Sequence, residues 1–68
     1  MPKQPPMTAL EAEKLLFKAG FEMIRSKGSH RIYQKFARRV VVPFHSNRLL
    51  HPKIVKQVLE AIEKADEL

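Results

Sequence analysis

The chain has 68 residues, no cysteine, and 13 lysines and arginines against seven carboxylates, for a formal net charge of +6. That length fits one domain with a small core, and the absence of cysteine excludes a disulfide framework or a thiolate metal site. No apolar run reaches the ~18 residues of a membrane span and the start, MPKQPP, lacks a hydrophobic signal core, so a cytoplasmic protein without membrane partners is expected.

Residues 1–7 hold three of the five prolines and are expected to form a flexible arm, with residues 8–68 as a single domain. Thr8 followed by Glu11 is a capping box, so a first helix is predicted to start there. It should run to Ala19, where Gly20 supplies a left-handed stop. Ala12, Leu15, Leu16 and Ala19 share one helical face. Three extended runs follow, Phe21–Ser26, His30–Phe36 and Arg39–Pro43. Lys27-Gly28-Ser29 and Ala37-Arg38 are the predicted turns. Alternation in the middle run puts His30, Ile32, Gln34 and Phe36 on one face and Arg31, Tyr33 and Lys35 on the other. The continuous run Val40-Val41-Val42 suggests the better-buried strand of the sheet. After a polar loop, Pro52 suits the first position of a second helix. Ile54, Val55, Val58, Leu59 and Ile62 make its apolar stripe over 52–65. The terminal Lys64–Leu68 reads as a frayed helix end. Two amphipathic helices and three strands predict an α+β domain of order α-β-β-β-α. Its three-stranded antiparallel sheet carries both helices on one face, the layout of double-stranded-RNA-binding domains.

The charge is not spread evenly. Segment 21–48 holds Arg25, Lys27, Arg31, Lys35, Arg38, Arg39 and Arg48 against Glu22 alone, which accounts for the whole net charge. Such a patch is a footprint for phosphate. Lys27, Arg31, Lys35, Arg38, Arg39 and Arg48 are the RNA-binding candidates, with Arg38-Arg39 at a turn tip. Ser29 either bonds a phosphate or closes its turn. Tyr33 either stacks on a base or covers an exposed part of the sheet. His30 lies within the patch, directly after the Gly-Ser turn. It is either an ordinary exposed strand residue or an acid–base group placed where a phosphodiester would lie. His45 is a second candidate proton donor, or a loop histidine shaping the turn before Arg48. His51 is read as leading into the second helix. The three histidines have no metal-site spacing and no cysteine or paired acid beside them, so no metal or other cofactor is expected.

The pattern G-F-E-M-I-R-x-K-G-S-H-R-x-Y, a basic turn, R-V-V-V-P-F-H, a loop and a final apolar helix resembles the HicA (YcfA-like) family of toxins over about residues 8–63. The resemblance implies a double-stranded-RNA-binding-like fold and an endoribonuclease that degrades messenger RNA without a ribosome. It also implies neutralisation by a HicB-type antitoxin protein. It puts the catalytic histidine at His30 and the family's Pro-x-His at Pro43 and His45. Many members lead into the last helix through Lys-Gly-Thr, where this chain has His51-Pro52-Lys53. The alternative from a different class is a non-catalytic RNA-binding module using the same fold and patch.

Overall fold

Local signals set where each element begins and ends. The computed structural model of the protein describes residues 6–45 and 48–65. The elements are α1 (Ala9–Lys18), β1 (Glu22–Lys27), β2 (His30–Lys35), β3 (Arg38–Pro43) and α2 (Pro52–Ala65). At the start of α1 the Glu11 N–H donates to the Thr8 hydroxyl at 3.2 Å, and the Thr8 N–H donates to the Glu11 carboxylate at 2.9 Å. These reciprocal bonds satisfy donors that a helix start leaves unpaired. At its end Gly20 adopts φ +99°. That lets the Gly20 and Phe21 N–H groups donate back to Phe17 and Leu16 at 3.0 and 2.9 Å, a Schellman ending. Phe21 then turns into the core, 3 % exposed.

The strands form one antiparallel sheet in the order β1-β2-β3. Gly28 and Ser29 are the two residues of the first hairpin turn, closed by the pair Lys27 and His30. Gly28 has φ +57° at the first central position, as a type II′ turn requires. A Cβ at Gly28 would meet nothing within 4 Å, so the glycine is needed for its dihedral and not for space. The second turn is Phe36-Ala37, one residue earlier than the expected Ala37-Arg38, and it pairs Lys35 with Arg38. This turn contains no glycine to mark its first central position. Phe36 occupies it instead, with φ +54°.

The helices pack on β3 and against each other, which sets both on one side of the sheet. The described residues measure 34 × 33 × 17 Å, a slab two layers thick. Its core joins Ala12 and Leu16 of α1, Tyr33 of β2, Val40 and Val42 of β3, and Val55 and Val58 of α2. β1 lies beyond the helices, and all six of its residues are exposed.

β3 is the better-buried strand, as its valine run suggests, with two buried residues against one in β2, although Val41 between Val40 and Val42 is 42 % exposed. β3 is an edge, covered on one face only. Met7, expected in the arm, is 5 % exposed, and its carbonyl accepts from the Leu50 N–H at 2.8 Å. Thr8 and Leu49 form an adjacent β-bridge. Burying an apolar side chain and pairing its backbone outweigh the ordering cost at this position. Pro6 is exposed, and residues 1–5 of the expected arm and 66–68 of the expected frayed end lie outside the described residues.

Candidate nucleic-acid interface

Pairing register sorts the side chains between a face covered by helices and an open one, since cross-strand partners share a side. Three rows lie on the open face: Lys27–His30–Pro43, Arg25–Ile32–Val41 and Glu22–Gln34–Arg39. An irregularity in β1 between Met23 and Arg25 inserts Ile24 as an extra residue and re-aims Arg25 toward this face. The open face therefore carries His30, Arg25, Lys27 and Arg39, with Glu22 as its one carboxylate.

His30 is exposed at the first position of β2. The turn before it is held to the loop after β3, where the Phe44 N–H donates to the Ser29 carbonyl at 2.5 Å. This bond extends the β2–β3 ladder by one pair. His45 follows that pair and is exposed. The two candidate proton-transfer groups thus flank one end of the sheet. Ser29 uses its backbone in this clamp and closes the turn, and its hydroxyl has no hydrogen-bond partner among the described residues.

Four of the expected RNA contacts, Arg31, Tyr33, Lys35 and Arg38, face the other way, and the first three are held there by bonds to α1 and its C-cap. Tyr33 is 0 % exposed, so no face of its ring is open to a base. The Phe17 ring covers it edge-on at 5.8 Å, and its hydroxyl donates to Glu13 at 2.5 Å. Burial and the Glu13 hydrogen bond raise its pKa well above the usual 10. Arg31 donates to the same Glu13 carboxylate at 2.9 Å. Its guanidinium also sits 3.9 Å from the centre of the Phe44 ring. The hydrogen bond to Glu13 raises the Arg31 pKa. Lys35 donates to the Ala19 carbonyl at 2.6 Å, capping the negative end of α1. These three are fastened to the helical layer. A partner lying flat on the open face meets His30 but not the side chains of Arg31 and Lys35.

Arg38 shares the covered side with Lys35 and borders a cleft with Gln57, Glu60, Ala61 and Lys64 of α2. Arg39 is exposed on the open face, 3.5 Å from the Gln34 side-chain oxygen. Arg48 is exposed in the loop before α2. His51 plays the part expected of it: its Nδ1 accepts from the Lys53 N–H at 3.1 Å and caps α2. Arg25 stands in the basic segment but not among the expected RNA contacts, and Glu13 has no place in the sequence reading. Arg25 had a signal, because it lies two residues from Lys27 within the charged run. Glu13 had none, since only tertiary packing brings it to Arg31 and Tyr33.

Among the described residues no cluster of three His, Cys, Asp or Glu side chains could hold a metal ion, and no helix is long and apolar enough to cross a membrane. The model of the family described as HicA toxin of bacterial toxin–antitoxin matches residues 10–64. No curated protein and no solved structure matches the chain.

Proposed function

The chain belongs to the HicA toxin family of bacterial toxin–antitoxin systems, and we propose that it is a metal-independent messenger-RNA endonuclease using His30 for proton transfer. The observation that carries this reading is the place of His30. It is exposed at the head of the central strand, on the open face, opposite Lys27 and in a field of basic side chains. In this mechanism a ribose 2′-hydroxyl attacks the adjacent phosphorus as a histidine takes its proton. The bond to the 5′-oxygen breaks as that oxygen gains a proton, which leaves a 2′,3′-cyclic phosphate and a 5′-hydroxyl. His30 carries one of these transfers and His45 the other. Lys27, Arg25 and Arg39 offset the charge that builds on the phosphoryl oxygens. A HicB-type antitoxin with an acidic surface covers the open face and blocks access to His30. Both proteins act in the cytoplasm.

The test is cleavage of labelled RNA by the purified toxin. His30→Ala should lower the rate by about 10²–10⁴-fold with an unchanged circular dichroism spectrum. Wild-type cleavage should persist in EDTA. A folded His30→Ala protein that cleaves at the wild-type rate would falsify the assignment, and activity lost in EDTA and restored by magnesium would point to another reaction.

A further inference from the structure

Phe36 is at once strained and displayed. It is the one described non-glycine residue with positive φ, +54°. It is also 65 % exposed, at the end of the sheet opposite His30. A bulky side chain there costs about 1–2 kcal/mol relative to a relaxed backbone. The fold supports the arrangement with neighbours from the open face. Gln34 donates from Nε2 to the Phe36 carbonyl at 2.8 Å, and Arg39 approaches the other end of the same amide. Phe36 lines a recess together with Gly20, Glu22, Ile24, Gln34 and Lys35. Ile24 is 47 % exposed, and it stands there because of the extra residue in β1. Nothing in the core needs Phe36, and a glycine would make this turn without strain.

We infer that the open sheet face is a path for single-stranded RNA and that Phe36 is a stacking platform for one base, remote from the scissile phosphate. This deepens the proposed function and rests on it. Charge selects the occupant: Arg25, Lys27 and Arg39 border the path against the lone carboxylate of Glu22. Geometry selects the strand state. The six-residue step from His30 to Phe36 spans roughly 20 Å of extended chain. A flat sheet offering an aromatic at one end suits splayed, unstacked bases, as sheet-based single-strand binders use them. A duplex hides its base faces and could not use Phe36. The recess gives the stacked base an apolar wall in Ile24 and a hydrogen-bonding edge in Gln34.

The test measures binding by the His30→Ala toxin, which leaves the RNA intact, to a 12-nucleotide single-stranded RNA of mixed sequence and to the matching duplex. Phe36→Ala and Phe36→Gly should weaken single-strand affinity by about 5- to 150-fold. Phe36→Gly should not lower the melting temperature, because it relieves the positive φ; a merely structural Phe36 would show the reverse pattern. Phe36→Trp should restore affinity. It would be the only tryptophan in the chain, so its fluorescence should quench on binding single-stranded RNA. Single-strand affinity unchanged by Phe36→Gly, tighter binding of the duplex, or loss confined to antitoxin binding each overturns the inference. Failure of the wild-type toxin to cut RNA would instead sink the nuclease reading and leave these binding results to be judged separately.

Discussion

Glu13 serves two donors with one carboxylate oxygen, which ties α1 to the middle strand. Arg31 and Tyr33 both donate to its Oε2, and Arg31 then lies across Phe44. Phe44 in turn holds the Ser29 carbonyl beside His30. The chain of contacts therefore runs from a helix carboxylate to the turn that presents the histidine. Its pH dependence has a definite sign. Tyr33 holds its proton more tightly in the folded state, chiefly because the ring and hydroxyl are buried. An unfolded tyrosine ionises near pH ~10. Above that pH the unfolded chain binds fewer protons than the folded one, so stability falls as pH rises. Urea midpoints of the wild type should fall as pH rises above about 10, and Tyr33→Phe should show a shallower fall. At neutral pH Tyr33→Phe should cost about 0.5–1.5 kcal/mol for the lost hydrogen bond. Equal alkaline slopes for both proteins would remove Tyr33 from the account.

At the scale of the elements, most ends are closed by side chains near in sequence. α1 has the Thr8–Glu11 box at one end and Gly20 at the other. α2 starts with Pro52, whose missing N–H is no loss at a first helical position. The preceding His51 supplies the cap. Its Nδ1 must be the unprotonated nitrogen to accept from Lys53, and its carbonyl accepts from Ile54 and Val55 at 2.9 and 3.1 Å. The pair His51-Pro52 thus reaches the same end as a small hydroxyl residue would. His51→Ala should destabilise the protein by about 0.5–2 kcal/mol without touching catalysis in the folded protein, and His51→Asn should recover most of that loss. Denaturant unfolding of the three proteins, with RNA cleavage measured well below their midpoints, checks both halves. A loss of cleavage in folded His51→Ala would give this histidine a chemical role instead.

The whole molecule is a slab with one layer of helices, and that asymmetry decides which charges can act together. Seven basic residues in segment 21–48 do not make one seven-charge surface. Arg25, Lys27 and Arg39 share the open face with His30, while Arg31, Lys35 and Arg38 turn to the helical side. Three phosphate contacts on a single strand imply a log–log salt slope near −2, at ~0.7 per contact. Arg39→Gln should flatten it by about 0.7, and Lys35→Gln should leave it unchanged while weakening the end of α1. Titrations of single-stranded RNA at several salt concentrations would read both; equal flattening by the two substitutions would mean that RNA reaches the helical side. The core is small, so a partner covering the open face also adds stability, growing with the logarithm of its free concentration once that exceeds Kd.

What the sequence alone determined is the set of features that depend on neighbours a few residues away. The capping box, the stop at Gly20, the helix start at Pro52, the turn at Gly28-Ser29 and the two apolar stripes are local. They specified an α-β-β-β-α domain with an antiparallel sheet, and the structure has that order. Alternation also divided β2 correctly into two sets. Which set faces the helices was decided only in three dimensions. Arg31, Tyr33 and Lys35 look like a solvated face, because two of the three carry charge. Their long apolar stems fill the layer while their polar ends reach Glu13 and the Ala19 carbonyl, partners supplied by α1. The same packing buries Tyr33, leaves Val41 in the open, and seats Phe36 in a conformation no turn rule would assign to it. A strand's period is visible in its residues, but its orientation depends on which side finds hydrogen-bond partners and volume to fill, and those belong to other elements.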